Sequence, residues 1–235
     1  TMKQFLQNQK NLVQNVFNDV YDKYDLMNDF MSLGIHRLWK KDLIMMMSPY
    51  ANKKLIDVGC GTGDIGKLFL NTVKFKGSVY NVDPNKKMLD QGKKRFKNLD
   101  NISWHIGNAE NLKFKSNLFD YYTISFGLRN TKDISKSLKE AHRVLKPGGR
   151  FLCLEFSKIS NSNLNFLYKN YSKIIPKVGK FIVGKSEPYE YLIKSIDKFI
   201  NQNQLVELMN KNGFENCKYR DLSGGIVSIH SGWKV

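Results

Sequence analysis

The chain has 235 residues and a formal net charge of +17, from 38 Lys and Arg against 21 Asp and Glu. Apolar residues make up 41% and aromatics 12%, enough for a packed core, so disorder is excluded as the main state. Nowhere do apolar residues run to the roughly 18 needed to span a membrane, and Cys60, Cys153 and Cys217, lacking a CxxC pair, exclude a disulfide framework or a cysteine zinc site and point to a reducing compartment.

The opening Thr1-Met2-Lys3-Gln4 is not a signal peptide and reads as a trimmed or processed end. Leu12, Val13, Val16, Phe17 and Val20 recur at helical spacing, and further helices are predicted at Asp29–Leu33 and His36–Met47, with Gly34 between them. From residue 53 the period changes. Leu55–Val58, Ser78–Asp83, Ile102–Ile106, Tyr121–Ser125 and Arg150–Phe156 read as strands. Between them lie helical runs at Asp64–Val73, Lys86–Lys97 and Ile134–Leu145. Pro84 suits the first turn of the second run, and Pro147-Gly148-Gly149 stops the third. Strands alternating with helices of this length make βαβ units and a parallel sheet. Glu215–Leu222 and Ile226–His230, split by Ser223-Gly224-Gly225, read as a closing antiparallel hairpin. The expected architecture is α/β and doubly wound: a Rossmann-like, mostly parallel seven-stranded sheet with a helical cover in front and a β-hairpin at the end. One domain is expected, with a helical cover at 1–50, a core at 53–156, a helical insertion at 157–200 and a closing helix and hairpin at 201–235.

The first strand runs into Asp57-Val58-Gly59-Cys60-Gly61-Thr62-Gly63. Glycines there let the backbone turn sharply and approach a ligand, which in an open α/β sheet lies at the C-terminal strand edge. No Gly-Lys-Ser/Thr closes the loop, so a phosphate-binding P-loop is excluded. Asp83 stands 20 residues after Gly63 at the end of the second strand, where an acid can accept from both ribose hydroxyls of an adenosine group. Loop and acid together fit an adenosine cofactor and leave NAD and S-adenosylmethionine open. Gly107-Asn108-Ala109-Glu110, Phe119–Ser125 and Arg143-Val144-Leu145-Lys146-Pro147-Gly148-Gly149-Arg150 then follow in order. This succession resembles the class I S-adenosylmethionine-dependent methyltransferases.

Segments that the general class does not share sharpen the resemblance. Lys23-Tyr24-Asp25-Leu26-Met27-Asn28-Asp29, Met31–Lys40, Ile124-Ser125-Phe126-Gly127-Leu128-Arg129-Asn130 and Gly225–Lys234 are similar to the ubiquinone/menaquinone biosynthesis C-methyltransferase family. The ending Ile-His-Ser-Gly-Trp-Lys looks like its ubiquinone-pathway, mitochondrial-type members. One departure is Cys60, where the family often carries Ala-Gly-Gly around that position. The resemblance implies methylation of a polyprenylated benzoquinol or of demethylmenaquinol, with S-adenosyl-L-methionine as cofactor and no metal. It implies cofactor contacts from Asp57, Gly59, Gly61, Thr62, Asp83, Asn108, Ala109 and Ser125. Thr62 would face the methionine, Asp83 the ribose, Asn108 and Ala109 the adenine, and Ser125 the sulfonium.

Arg129 and Asn130 follow the fourth strand directly and would face the acceptor; Arg129 could stabilise a phenolate or brace its loop through a salt bridge. His36 is the titratable base of the helical front and could instead cap its helix. Tyr24 and Asn28 complete the expected pocket. Residues 157–186 hold six lysines and no acid, with Leu164, Leu167, Tyr168, Tyr171, Ile174, Ile175 and Val178 at helical spacing. That basic amphipathic pattern suits an anionic membrane surface or an ordinary cover helix. The expected setting is peripheral at the mitochondrial inner membrane, or membrane-associated in a bacterial cytoplasm, as a homodimer and in a quinone-synthesis complex. Only six of the basic residues are Arg, which favours compositional bias and argues against nucleic acid as the partner. RNA methylation and a non-catalytic scaffold are the rival readings.

Overall fold

A computed structural model of the chain describes residues 34–159, Ser162 and 187–235. The predicted helices before residue 34, and nearly all of the basic stretch 157–186, lie outside the described residues, as do Tyr24 and Asn28. The chain groups into two compact units, 1–36 with 160–198, and 37–159 with 199–235. In the first, the described part is the entry to α1 (His36–Met47), Ser162 and α5 (Glu187–Lys198). The second holds the sheet.

The elements in chain order are α1, β1 (Lys53–Val58), α2 (Asp64–Thr72), β2 (Gly77–Asp83), α3 (Lys86–Arg95), β3 (Ile102–Ile106), β4 (Phe119–Ser125), α4 (Ile134–Val144) and β5 (Leu145–Phe156). After α5 come α6 (Gln202–Lys211), β6 (Phe214–Leu222) and β7 (Val227–Lys234). The strands form one seven-stranded sheet in the order β3-β2-β1-β4-β5-β7-β6, parallel from β3 to β5 and antiparallel at β5–β7 and β7–β6. This is the doubly wound α/β fold expected from the sequence. The strand order reverses between β1 and β4, and in open α/β sheets ligands bind outside the C-terminal strand ends at such a point.

Burial on both faces explains why the central strands read as continuous apolar runs. One core, on the side of α4 and α6, joins Ile56, Val58, Phe119, Tyr122, Ile124, Leu138, Phe151 and Leu205. The other, on the side of α1 and α2, joins Leu43, Leu55, Phe69, Val79, Leu152, Leu154 and Ile229. Each such side chain contributes about 1.5–3 kcal/mol by leaving water.

Several predicted bounds move by one or two residues, and β7 runs on to Lys234 where the predicted strand stops at His230; two shifts have a local cause. Pro84 precedes the helix; Asn85 is the N-cap of α3, its side chain accepting from the N–H groups of Lys87 and Met88. Nor does Pro147-Gly148-Gly149 stop α4. Leu145 already adopts an extended backbone and pairs with Phe119, so the helix ends at Val144 and the Pro-Gly-Gly segment lies within an irregular start to β5.

Candidate active site

The loop leaving β1 folds back over the end of β2. The N–H groups of Gly59 and Cys60 donate to the Val82 carbonyl at 2.8 and 3.1 Å, and Gly63 N–H donates to the Cys60 carbonyl at 2.9 Å. Gly59, Gly61 and Gly63 all have positive φ, 67°, 56° and 89°, a region costing other residues roughly 1–2 kcal/mol each. Beneath Gly63 there is also no room, since a Cβ would stand 2.6 Å from Trp104 Cη2 and 2.9 Å from Asn81 Nδ2. Cys60 is half-buried in this loop, and desolvation pushes its thiol well up, which keeps it protonated.

Asp83 faces the loop. Its Oδ2 accepts from Gly61 N–H and its Oδ1 from Asn85 N–H, each at 2.8 Å. A carboxylate offers about four acceptor sites, so two remain for a pair of hydroxyls. Burial raises its pKa to about 6 against those two bonds. Asp57 is more deeply enclosed, 1% exposed. Its Oδ1 accepts from Thr123 Oγ1 at 2.8 Å, whereas Oδ2 has no hydrogen-bond partner among the described residues. Burial raises its pKa to about 7, the Thr123 bond opposing. An unmatched buried acceptor of this kind suits a cationic donor.

Asp64, at the start of α2, differs: burial pushes its pKa up, but Lys40 at 2.8 Å and Arg95 at 2.7 Å hold it below the usual range. Arg95 Nη1 also reaches Thr62 Oγ1 at 3.4 Å. Neither cation stands out in the sequence, because a Lys in a helix and an Arg at a helix end read as solvated.

At the end of β3 the Gly107 N–H donates to the Asp83 carbonyl at 3.2 Å, zipping the two strand ends together. Asn108 Oδ1 accepts from Glu110 N–H at 3.2 Å, and Ala109 is buried. Ile106, in register with Asp83, is 60% exposed at this edge. An apolar surface beside a buried acid is what an adenine ring would cover, whereas in the sequence a strand-ending Ile reads as core.

Ser125 closes β4 with its Oγ buried and unpartnered among the described residues. Phe126 then takes a positive φ of 56°, and a 3-10 turn follows over Leu128–Asn130. Arg129 and Asn130 lie on this turn. Arg129 Nη1 donates to the Phe126 carbonyl and to Glu155 Oε1, both at 2.6 Å, and Asn130 Nδ2 reaches the same carbonyl at 3.4 Å. Trp39, Phe126 and Phe156 cluster beside them, with ring centroids 5.1–6.5 Å apart. His36 is buried at the first position of α1 and groups with the other unit. Among the described residues no group of three or more His, Cys, Asp or Glu could hold a metal ion.

A glycine cradle at the sheet reversal, a buried acid with acceptor sites to spare, an unmatched carboxylate oxygen and an exposed apolar strand end fit S-adenosylmethionine. Fold and site thus define a class I S-adenosylmethionine-dependent methyltransferase. Among solved structures, a methyltransferase of Thermotoga maritima, described as a possible histamine N-methyltransferase, shares the fold at TM-score 0.67 and 22% identity. The match covers 94% of this chain and 99% of that one. A methyltransferase of Aquifex aeolicus does so at TM-score 0.64 and 15% identity, over 89% of this chain and 97% of its own. Sequence comparison narrows the class. The chain belongs to the ubiE/COQ5 methyltransferase family, whose model matches residues 3–234. The ubiquinone/menaquinone biosynthesis C-methyltransferases UbiE of Rickettsia bellii and Rickettsia prowazekii are each 48% identical to it. They match over 96% and 95% of this chain and 94% and 93% of their own lengths. The protein is therefore an S-adenosylmethionine-dependent C-methyltransferase of quinone biosynthesis. These relatives are bacterial, so they support the bacterial setting and leave the expected mitochondrial inner membrane without support.

Proposed function

We propose that the methyl acceptor is a ring carbon of a polyprenylated benzoquinol, of the 2-methoxy-6-polyprenyl-1,4-benzoquinol type used in ubiquinone synthesis. Demethylmenaquinol is the second reading, favoured by the double pathway in the names of the Rickettsia relatives. One observation carries the proposal: the family-specific turn Phe126–Asn130 packs directly on the cofactor loop, where a Cβ on Gly59 would lie 3.8 Å from Gly127 Cα. An aromatic acceptor in contact with Phe126 and Phe156 is then next to whatever the loop holds.

S-adenosylmethionine, when bound, supplies a methyl group on a cationic sulfur, open to in-line attack by carbon. The chain's contribution is position and charge. Asp83 would hold the ribose and Asp57 Oδ2 the methionine ammonium; Thr62, Asn108, Ala109 and Ser125 would complete the cofactor's envelope. Holding the ring carbon about 3–3.5 Å from the methyl supplies most of the rate. A quinol hydroxyl has a pKa near 10, like a Tyr phenol, so it is protonated at neutral pH and its ring is a weak nucleophile. Arg129, oriented from the turn, would favour the phenolate form and Asn130 would orient the same oxygen; such electrostatic help is worth roughly 10²–10³-fold.

The prenyl tail stays in the bilayer, so the enzyme would meet the membrane peripherally, with the basic stretch 157–186 as the contacting surface and a homodimer as the working unit. Among the described residues no helix is long and apolar enough to cross a membrane. The test is transfer of labelled methyl from S-adenosylmethionine to a short-chain prenylated benzoquinol and to the matching naphthoquinol. A benzoquinol kcat/KM at least tenfold higher is expected; the reverse preference would move the protein to menaquinone synthesis.

A further inference from the structure

An acid of the neighbouring strand holds the turn that carries Arg129. Glu155, near the end of β5, is fully buried, its side chain 1% exposed against 5% for Arg129. Three donors converge on it. Arg129 Nη1 and the Phe156 N–H reach Oε1 at 2.6 and 2.9 Å, and the Arg129 backbone N–H reaches Oε2 at 3.3 Å. Two of the three come from one residue, so the carboxylate fixes both the main chain and the guanidinium of Arg129.

The same guanidinium donates to the carbonyl of Phe126, whose own N–H donates to the Leu154 carbonyl at 2.8 Å. Phe126 is held in a left-handed conformation that costs a non-glycine residue roughly 1–2 kcal/mol, so it persists only because both its peptide groups are tied down. Arg129 also lies with its Cζ 5.4 Å from the Phe156 ring centroid. β5 therefore holds the turn at two points, the Leu154 carbonyl and the Glu155 carboxylate.

We propose that Glu155 is a positioning residue for methyl transfer: it locks Arg129, and through it the Phe126 turn, in the orientation that faces the acceptor. The proposal rests on the reading that Arg129 acts on the acceptor.

The test is Glu155→Gln, with Glu155→Asp and Arg129→Ala alongside. Gln keeps the shape, and its amide oxygen can still accept from Phe156 and the Arg129 guanidinium, but its amide nitrogen would face the Arg129 N–H as a second donor and the buried guanidinium would lose its counter-charge, so stability is measured beside turnover. Unfolding temperature, calorimetric affinity for S-adenosylmethionine, and kcat and KM for a short-chain prenylated quinol are measured for each. The expected result is a kcat at least tenfold lower in Glu155→Gln, with cofactor affinity and acceptor KM within twofold of the parent and partial recovery in Glu155→Asp. Two results would overturn the proposal while sparing the reading of Arg129: unchanged kcat in Glu155→Gln where Arg129→Ala loses turnover, or a fall in kcat matched by lost cofactor affinity and stability, the mark of a plain brace. Full turnover in Arg129→Ala would overturn both.

Discussion

Across the β1–β4 pair, Thr123 Oγ1 donates to Asp57 Oδ1 at 2.8 Å and leaves the second carboxylate oxygen unmatched among the described residues. One bond against complete burial leaves the Asp57 pKa at about 7, well above the ordinary 3.8.

Between about pH 4 and pH 7 the folded apoprotein keeps a proton that the unfolded chain has lost, so Asp57 lowers stability as pH rises through this window and has no effect below it. A rise from 3.8 to about 7 corresponds to roughly 4 kcal/mol. A cationic ligand on Oδ2 would reverse the preference and expel the proton. Calorimetry of S-adenosylmethionine binding at pH 6.5, in buffers of different ionisation enthalpy, is expected to report proton release. Asp57→Asn is expected to abolish the release and weaken binding, whereas Thr123→Val, which removes the bond that lowers the pKa, should increase it.

Gly63 and Gly148 separate conformational strain from crowding. Both have positive φ, 89° and 75°, but a Cβ on Gly63 would press on Trp104 and Asn81 whereas one on Gly148 meets nothing within 4 Å. Gly148→Ala is expected to cost about 1 kcal/mol, and Gly63→Ala about 1–3 kcal/mol more together with cofactor affinity. Urea unfolding of the two variants measures the difference.

Lys234 accounts physically for part of the C-terminal motif. Its Nζ donates to Asn117 Oδ1 at 2.7 Å and to the carbonyls of His142 and Leu145 at 2.9 and 2.8 Å, closing the end of α4 with a favourable positive charge. Lys234→Met is expected to lower stability by about 1–3 kcal/mol, read by urea unfolding, with cofactor affinity unchanged.

Much of the fold is legible in the sequence because local signals agree with it. Helix α1 and strand β3 have the predicted bounds, and the glycine loop and Asp83 lie together at the sheet reversal. Where long-range pairing decides, the local signal fails. Leu145 continues a helical period yet pairs with Phe119, and Pro147-Gly148-Gly149 falls inside strand β5. Glu155 is inconspicuous within the run Phe151–Phe156, although a lone acid in a strand buried on both faces needs a cation, and Arg129 supplies it. Lys40, Arg95 and the ring cluster of Trp39, Phe126 and Phe156 come together only through packing between distant elements, and no spacing in the sequence announces them.

The charge of +17 belongs to a methyltransferase whose cofactor loop is bordered by three acids, Asp57, Asp64 and Asp83, two of which, Asp57 and Asp83, have raised pKa values. The most direct test of the proposed acceptor is lipid analysis of cells depleted of this protein. Accumulation of a ubiquinone precursor lacking one ring methyl is expected, relieved by the parent chain and not by Asp83→Ala. An unchanged quinone profile, or accumulation of demethylmenaquinone alone, would contradict it.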